Sequence, residues 1–339
     1  MEKMRLGRTD LTVSRTGFGA IPIQRISREE AKSLLLRAFD AGITYFDTAR
    51  DYSDSEGKIG YALSSVRDKI VIATKTAARD KKTLLLNIDT SLKDLNTDYI
   101  DIYQMHNPAE VYEDVYEGLL ELKQSGKIRH IGITYHSRDK AAAAVESGRF
   151  ETLQFPLTFL SSPEDLALIE LCKEKDVGLL AMKGLAGGLI NRAECAFAFL
   201  RQFENVVPLW GIERRSDLEE FITLENSPPP LDTEMQEMID EFKRGLTGNF
   251  CRACGYCMPC TVGINIPTAA RIVPLMNRTR YQNFVTDEFA DKMAKVEQCT
   301  GCGSCKSRCP YELDVPAVLK KQYAEYKELR AEYNRREKE

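Results

Sequence analysis

Eight of the ten cysteines in this 339-residue chain fall in two short windows near its C-terminus. The first is Cys251-x2-Cys254-x2-Cys257-x2-Cys260. The second is Cys299-x2-Cys302-x2-Cys305-x3-Cys309, followed at once by Pro310. Thiolates that share a metal centre must converge, so these windows constrain folding more tightly than any hydrophobic pattern. A loop with two residues between cysteines can aim three thiolates at three irons of one cube, and the fourth iron takes a ligand from elsewhere in the chain. Pairs of C-x2-C also make zinc sites, but a four-ligand zinc ion gives no reason for triplets. Two [4Fe–4S] clusters are therefore the expected occupants.

The windows form an internal repeat. Cys251, Cys254 and Cys257 recur 48 residues later as Cys299, Cys302 and Cys305, while Cys260 and Pro267 recur 49 residues later as Cys309 and Pro316. Helix-compatible sequence follows each proline. The pattern resembles the two-cluster α-helical ferredoxin modules. That resemblance implies crossed ligation: Cys251, Cys254, Cys257 and Cys309 for one cluster, and Cys299, Cys302, Cys305 and Cys260 for the other. Thr261 departs from the pattern, standing where the second repeat has Pro310.

A net charge of −4 makes no electrostatic case for nucleic acid or anionic membranes as partners. The N-terminal MEKMRLGRTDLTV lacks an apolar signal core, and no window approaches a membrane span. A cytoplasmic protein with reduced thiols is expected. Cys172 and Cys195 lie in apolar helical stretches and read as small core residues.

Residues 1–226 alternate short apolar runs with helical patterns. The runs are 12–19, 44–49, 69–75, 99–106, 129–134, 151–157, 177–183 and 206–212. Helices are expected at 27–42, 83–95, 112–126 and 162–176, among others. Ser27 with Glu30 forms a capping box, and Gly42 and Gly126 stop their helices. Buried strands separated by helices imply a parallel sheet, and eight such units match a (β/α)8 TIM barrel in size. The alternative, a doubly wound open sheet, usually carries a Gly-rich turn after its first strand, and Gly17-Phe18-Gly19 does not continue that pattern. The expected fold is α/β: a TIM barrel followed by a small α-helical ferredoxin-like domain.

Barrel active sites form at the C-terminal ends of the strands. There, three consecutive strands deliver Asp47 with Tyr52 just beyond it, then Lys75, then His106. A phenol is a poor acid at neutral pH, and a neighbouring lysine cation stabilises its phenolate. Asp47 would orient Lys75, and His106 would position a carbonyl oxygen. These are the parts of a carbonyl-reduction site. Singly, each has a plainer reading: a helix cap, a surface aromatic, an end charge and a core histidine.

FDTARDY, IATKT and YQMHNP resemble the tetrad segments of the aldo-keto reductases, with the tetrad falling on Asp47, Tyr52, Lys75 and His106. The resemblance covers residues 1 to about 226 and implies NADP(H) or NAD(H) without a metal. It places the nicotinamide amide at Thr134 or Tyr135 and Gln154, and the ring against Met182, beside Lys183. Gly187 and Gly188 would approach the pyrophosphate, and Ile212, Arg214 (or Arg215) and Glu220 the adenosine end. GITYH stands where the family usually has Gly-Val-Ser-Asn, and Met182 replaces a stacking aromatic. His130 and His136 read as structural, although His136 lies on the active rim.

The NSPPP segment at 226–230 ends the barrel, which is expected to occupy 1–230. A linker helix is expected at 231–246, the cluster domain at 247–316, and a mostly solvated charged helix at 317–339. The combination reads as an oxidoreductase that takes a small-molecule carbonyl or alcohol, with clusters passing electrons to or from a redox partner. Two alternatives stand beside it. The clusters serve only as structural or redox-sensing elements, or the barrel has lost nicotinamide binding and serves as a scaffold. No flavin signature bridges hydride and one-electron chemistry.

Overall fold

The computed structural model describes residues 1–245, 250–253, 255, 257–278, 282–309, 311 and 313–336. Cys254 and Pro310 lie outside the described residues. The chain divides into two compact units. One comprises Met1–Gly184 with Arg192–Gln236, and the other Leu185–Asn191 with Glu237–Glu339.

In the first unit, an antiparallel hairpin, β1 (Lys3–Arg5) and β2 (Thr12–Ser14), precedes a closed parallel barrel. The barrel strands are β3 (Gly17–Gly19), β4 (Tyr45–Asp47), β5 (Val71–Thr76), β6 (Ile100–His106), β7 (Ile128–Thr134), β8 (Thr152–Pro156), β9 (Gly178–Met182) and β10 (Val206–Gly211). They pair in chain order, and β10 closes on β3. A helix follows each barrel strand. Ser27 and Glu30 form the expected capping box of helix Arg28–Asp40, and Gly42 and Gly126 adopt the left-handed backbone that stops their helices.

One expected strand divides. Residues 12–19 give both β2 and β3, because the chain turns between them: Ser14 Oγ donates to the Thr16 carbonyl, and Ser14 exchanges hydrogen bonds with Thr44. The hairpin then covers one end of the barrel. Leu6, Leu11 and Val13 pack with Tyr45, Val71, Ile102, Leu180 and Val207.

At that end His130 is clamped between two carboxylates, with Nδ1 2.7 Å from Glu151 and Nε2 2.7 Å from Asp10. Burial opposes its charge, but the two contacts prevail and hold its pKa above the ordinary 6.5. Burial likewise pushes Glu151 up, yet hydrogen bonds from His130, Lys123 and the Ile131 amide bring it down to about 2.

In the second unit, Tyr326 on helix Val315–Arg336 is buried and its hydroxyl donates to the Phe284 carbonyl. Leu319 is buried too, and Tyr323, Leu329 and Tyr333 pack on the same core. Arg330 ties to the Val285 carbonyl and to Asp287. The tail helix is mostly solvated, as expected, but it lays one apolar stripe on the core. The charged residues cover one side, while the tyrosines recur at helical spacing and face the core. Cys172 and Cys195 are buried, as small core residues. No helix among the described residues is long and apolar enough to cross a membrane.

The raised pKa of His130 makes its clamp stabilising below about pH 6.5, and the contribution is lost as pH rises through the raised value. His130→Gln should therefore cost about 1–3 kcal/mol in mildly acidic buffer and progressively less in alkaline buffer. Urea midpoints measured across pH check this. A pH-independent cost would contradict the charged clamp.

Candidate active site and cluster centres

Asp47 ends β4, and Lys75 lies one residue before the end of β5. Barrel closure turns both into the strand-end mouth, where Lys75 is 1% exposed and Asp47 4%. Lys75 Nζ donates to Asp47 Oδ1 at 2.6 Å and to the Thr48 carbonyl at 2.6 Å. The same Nζ lies 5.3 Å from the centre of the Tyr52 ring. Tyr52 follows in the loop after β4, and His106 at the end of β6 meets its ring edge-on, centroids 5.8 Å apart. The four expected residues thus come together at one rim.

Their electrostatics differ in one respect from the sequence reading. Burial raises the Tyr52 hydroxyl above its ordinary 10.0, and the opposing pull of Lys75 does not cancel it. Tyr52 therefore keeps its proton at neutral pH, while the cation beside it favours the phenolate form. Asp51 contacts His106 Nδ1 at 3.3 Å, and His106 holds the Asp51 carboxylate below its usual range. His136 is drawn down to about 3 by burial, with Lys183 and His106 adding to the effect, and so stays neutral.

Gln104 was missed by the sequence reading. Its Nε2 donates to Gln154 Oε1 at 3.1 Å and reaches Asp47 Oδ2 at 3.4 Å, and Gln154 Nε2 donates to Asp47 Oδ1 at 3.3 Å. A signal existed: Gln104 lies two residues before His106 on β6, hence on the same face, whose other members Ile100 and Ile102 are apolar. Gly132 on β7 makes room, since a Cβ there would fall 2.3 Å from Thr152 Oγ1 and 2.9 Å from Gln104 Cγ. Gln104 Oε1 is buried without a hydrogen-bond partner.

The expected dinucleotide residues are less concentrated. The Thr134 hydroxyl accepts from the Asn107 amide, and Tyr135 is buried. Met182 is half-buried, and Lys183 has a left-handed backbone at φ 59. Ile212 is fully buried. Arg214 pairs with Asp217 and Arg215 with Glu219, both at the start of helix Arg215–Asn226. Glu220 is exposed. Gly187 and Gly188 fold with the second unit, where buried Arg271 donates to the carbonyls of Ala186 and Gly187, each at 3.3 Å. At φ +66, and with a Cβ placed 2.9 Å from Arg271 Nη1, position 187 requires glycine.

The second unit contains two cavities walled by cysteine. One is lined by Cys251, Cys257 and Cys309 against Ile266, Leu313 and Val315. The other is lined by Cys260, Cys299, Cys302 and Cys305, and also by Cys257, which borders both cavities, against Ile264 and Leu319. Sulfur donors in apolar walls suit iron–sulfur clusters, whose ligands are thiolates. Among the described residues no His, Cys, Asp or Glu side chains gather tightly enough to hold a single metal ion. The Cys302 thiol is pulled down to about 7, chiefly by the backbone amide and then the hydroxyl of Ser304.

A parallel barrel with a buried Asp–Lys pair beside tyrosine and histidine, joined to a thiolate-lined helical unit, defines an oxidoreductase with an iron–sulfur module. The aldo/keto reductase family profile matches residues 15–196, and a 4Fe-4S dicluster domain profile matches 250–314. The chain belongs to the aldo/keto reductase family. It is 31% identical over 209 residues to an uncharacterized oxidoreductase, YqkF, of Bacillus subtilis (strain 168), covering 56% of this chain and 67% of that protein. It is 30% identical over 219 residues to L-galactose dehydrogenase of Arabidopsis thaliana, covering 56% and 67% respectively. Over 226 residues it is 28% identical to the NADH-specific methylglyoxal reductase of Escherichia coli (strain K12), covering 56% and 69%. The chain thus spans about two thirds of these relatives. An aldo-keto reductase from Bacillus halodurans, solved in its holo form, shares the fold with a TM-score of 0.65 at 23% identity, over 71% of this chain and 96% of that one.

Removing Lys75 leaves Asp47 buried opposite two amides. Lys75→Met should destabilise the barrel by about 3–5 kcal/mol, the cost typical of breaking a buried pair. Asp47→Asn added to it should recover part of the loss, as read from the barrel's denaturation transition. Additive costs would mean that the pair does not act as a unit.

Proposed function

We propose that the barrel interconverts a small-molecule carbonyl and its alcohol with NADP(H) or NAD(H), and that the C-terminal unit holds two [4Fe–4S] clusters that exchange electrons with a redox partner. The observation that carries the first part is the meeting of Tyr52, Lys75, Asp47 and His106 at one rim. Bound nicotinamide would supply the hydride. Tyr52 Oη passes its proton to the developing alkoxide. Lys75 stabilises the resulting phenolate through space, and Asp47 with the Thr48 carbonyl keeps that ammonium charged and in place. His106 orients the carbonyl oxygen, and His136, kept neutral by burial, lies close by. Gln104 and Gln154 brace the second oxygen and first oxygen of Asp47.

The cysteine lining of the two cavities supports the crossed assignment: Cys251, Cys254, Cys257 and Cys309 for one cluster, and Cys260, Cys299, Cys302 and Cys305 for the other. Bound clusters would supply one-electron transfer. Because each cube joins chain segments more than 40 residues apart, ligation also staples a small core.

A second reading, in which the barrel is a scaffold without nicotinamide, is favoured by one set of contacts. Gln154, Arg214 and Arg215 already bond to protein groups. Titrating anaerobically reconstituted protein with NADPH and with NADH decides between the two. Bleaching of the visible iron–sulfur absorbance supports the enzyme, and no binding of either dinucleotide supports the scaffold.

Tyr52→Phe should lower carbonyl reduction at least about 100-fold, the scale of a lost general acid, with fold and iron content unchanged. Because burial raises the Tyr52 pKa, reduction by the wild type should not decline until well into the alkaline range, when the hydroxyl deprotonates. Steady-state rates of both proteins across pH check this, and full turnover in the variant would remove Tyr52 from the chemistry.

Anaerobic analysis should find about eight irons and eight sulfides per chain. Cys309→Ser should perturb the EPR signal of one cluster and Cys260→Ser that of the other. Damage by Cys309→Ser confined to the cluster of Cys299, Cys302 and Cys305 would mean local rather than crossed ligation.

A further inference from the structure

The two cysteine sets differ in exposure. Among the described cysteines of the first set, Cys251 and Cys257 are buried and Cys309 is half-buried; in the second, Cys305 is buried, Cys260 and Cys299 are half-buried, and Cys302 is exposed. Thr300 and Gly301 beside Cys302 are exposed as well. The more accessible cavity therefore opens toward solvent at Cys302.

Basic side chains surround this opening. Arg308 lines the cavity, and its guanidinium donates to the carbonyls of Ser304, Met258 and Pro259 rather than to a carboxylate. Lys295 is exposed and reaches over Gly263, three residues beyond Cys260, with Nζ 3.5 Å from where a Cβ at Gly263 would stand. Neither cation forms an ion pair with a described acid. Lys306, next to Cys305, is exposed and shares Asp314 at 3.2 Å, and the nearby Glu297 is engaged by Lys327 at 3.4 Å. Four cations, Lys295, Lys306, Arg308 and Lys327, thus stand here against the two acids Asp314 and Glu297, in a chain whose net charge is −4.

We propose that the face around Cys302, bounded by Lys295, Lys306 and Arg308, docks an acidic one-electron carrier protein, and that electrons enter the chain at the cluster held by Cys260, Cys299, Cys302 and Cys305. The step is simple in balance. The reduced carrier loses one electron, the cluster passes from [4Fe–4S]2+ to [4Fe–4S]+, and no bond or proton is exchanged. Electron transfer weakens steeply with distance, so the exposed ligand edge is the point of entry. Opposite charge on the carrier raises the encounter rate. Solvent and cations beside this cluster also stabilise the extra negative charge of its reduced form, so it reduces before the buried one. The proposal rests on the two-cluster reading of this unit.

The test is anaerobic stopped-flow reduction of the full chain by a dithionite-reduced, acidic plant-type [2Fe–2S] ferredoxin. The same chain is reduced by methyl viologen radical cation as a control. Lys295→Glu and Lys306→Gln should each slow reduction by the ferredoxin about tenfold at low salt and flatten its salt dependence, without slowing reduction by methyl viologen. Iron and sulfide contents of every sample are measured alongside. Rapid-freeze EPR should show that the first signal to appear is the one altered by Cys302→Ser. Equal ferredoxin rates in wild type and both variants at full cluster occupancy would overturn the docking face alone. Faster reduction of the variants would overturn it too, and first appearance of the other signal would overturn the entry point. Fewer than two clusters in the wild type would overturn the two-cluster reading and the proposal with it.

Discussion

A lysine ammonium held almost entirely out of water anchors the mouth of the barrel. Lys75 survives there as a cation because Asp47 and the Thr48 carbonyl take up its hydrogens at 2.6 Å. Burying two charges is costly, and only close geometry with further hydrogen bonds offsets the penalty. Gln104 and Gln154 supply those bonds to Asp47, and Gly132 supplies the space for Gln104. The pair is thus the centre of a network drawn from β4, β5, β6 and β8. Its orientation requires the barrel to close with this register, in which Lys75 pairs with Gln104 across β5 and β6. The same cation lies beside Tyr52, so the interaction that the barrel must satisfy to fold also bears on the acidity of its hydroxyl, where it opposes the larger effect of burial.

The cluster unit solves a different problem. Its helices are short, several of only four residues, and its apolar core is small. Two features compensate. Cysteines from both repeats wall the same cavities, so cluster binding would join distant segments. The long C-terminal helix lays Leu319 and Tyr326 into the core and pins its far end through Arg330. Arg271 adds a third tie, capping carbonyls of the glycine segment that follows β9 by only a few residues in sequence.

Much of this was written in the sequence, for local reasons. Eight strand–helix alternations imply a parallel barrel because buried parallel strands read as short apolar runs, and every expected run overlaps a barrel strand, with β5 and β7 each one residue beyond its run. The capping box at Ser27 needs only residues three apart. The cysteine spacing states the chemistry of its ligand directly, since thiolates two residues apart suit a cube. The order of Asp47, Tyr52, Lys75 and His106 along successive strands told which end of the barrel carries chemistry.

What tertiary structure alone decided concerns partners that are distant in sequence. Gln104 looked like one polar residue in a strand until closure set it against Gln154, 50 positions away. The tail helix looked solvated because its charges are dense, and only packing revealed that its tyrosines share one buried face. The glycines after β9 read as part of the barrel, yet the Gly187 carbonyl faces a guanidinium 84 residues on, and both glycines fold with the cluster unit. The pKa of Tyr52 was likewise beyond the sequence, which shows the lysine that lowers it but not the burial that outweighs the lysine. Residue types and spacings specify which groups are available, and burial and long-range pairing determine which of them meet.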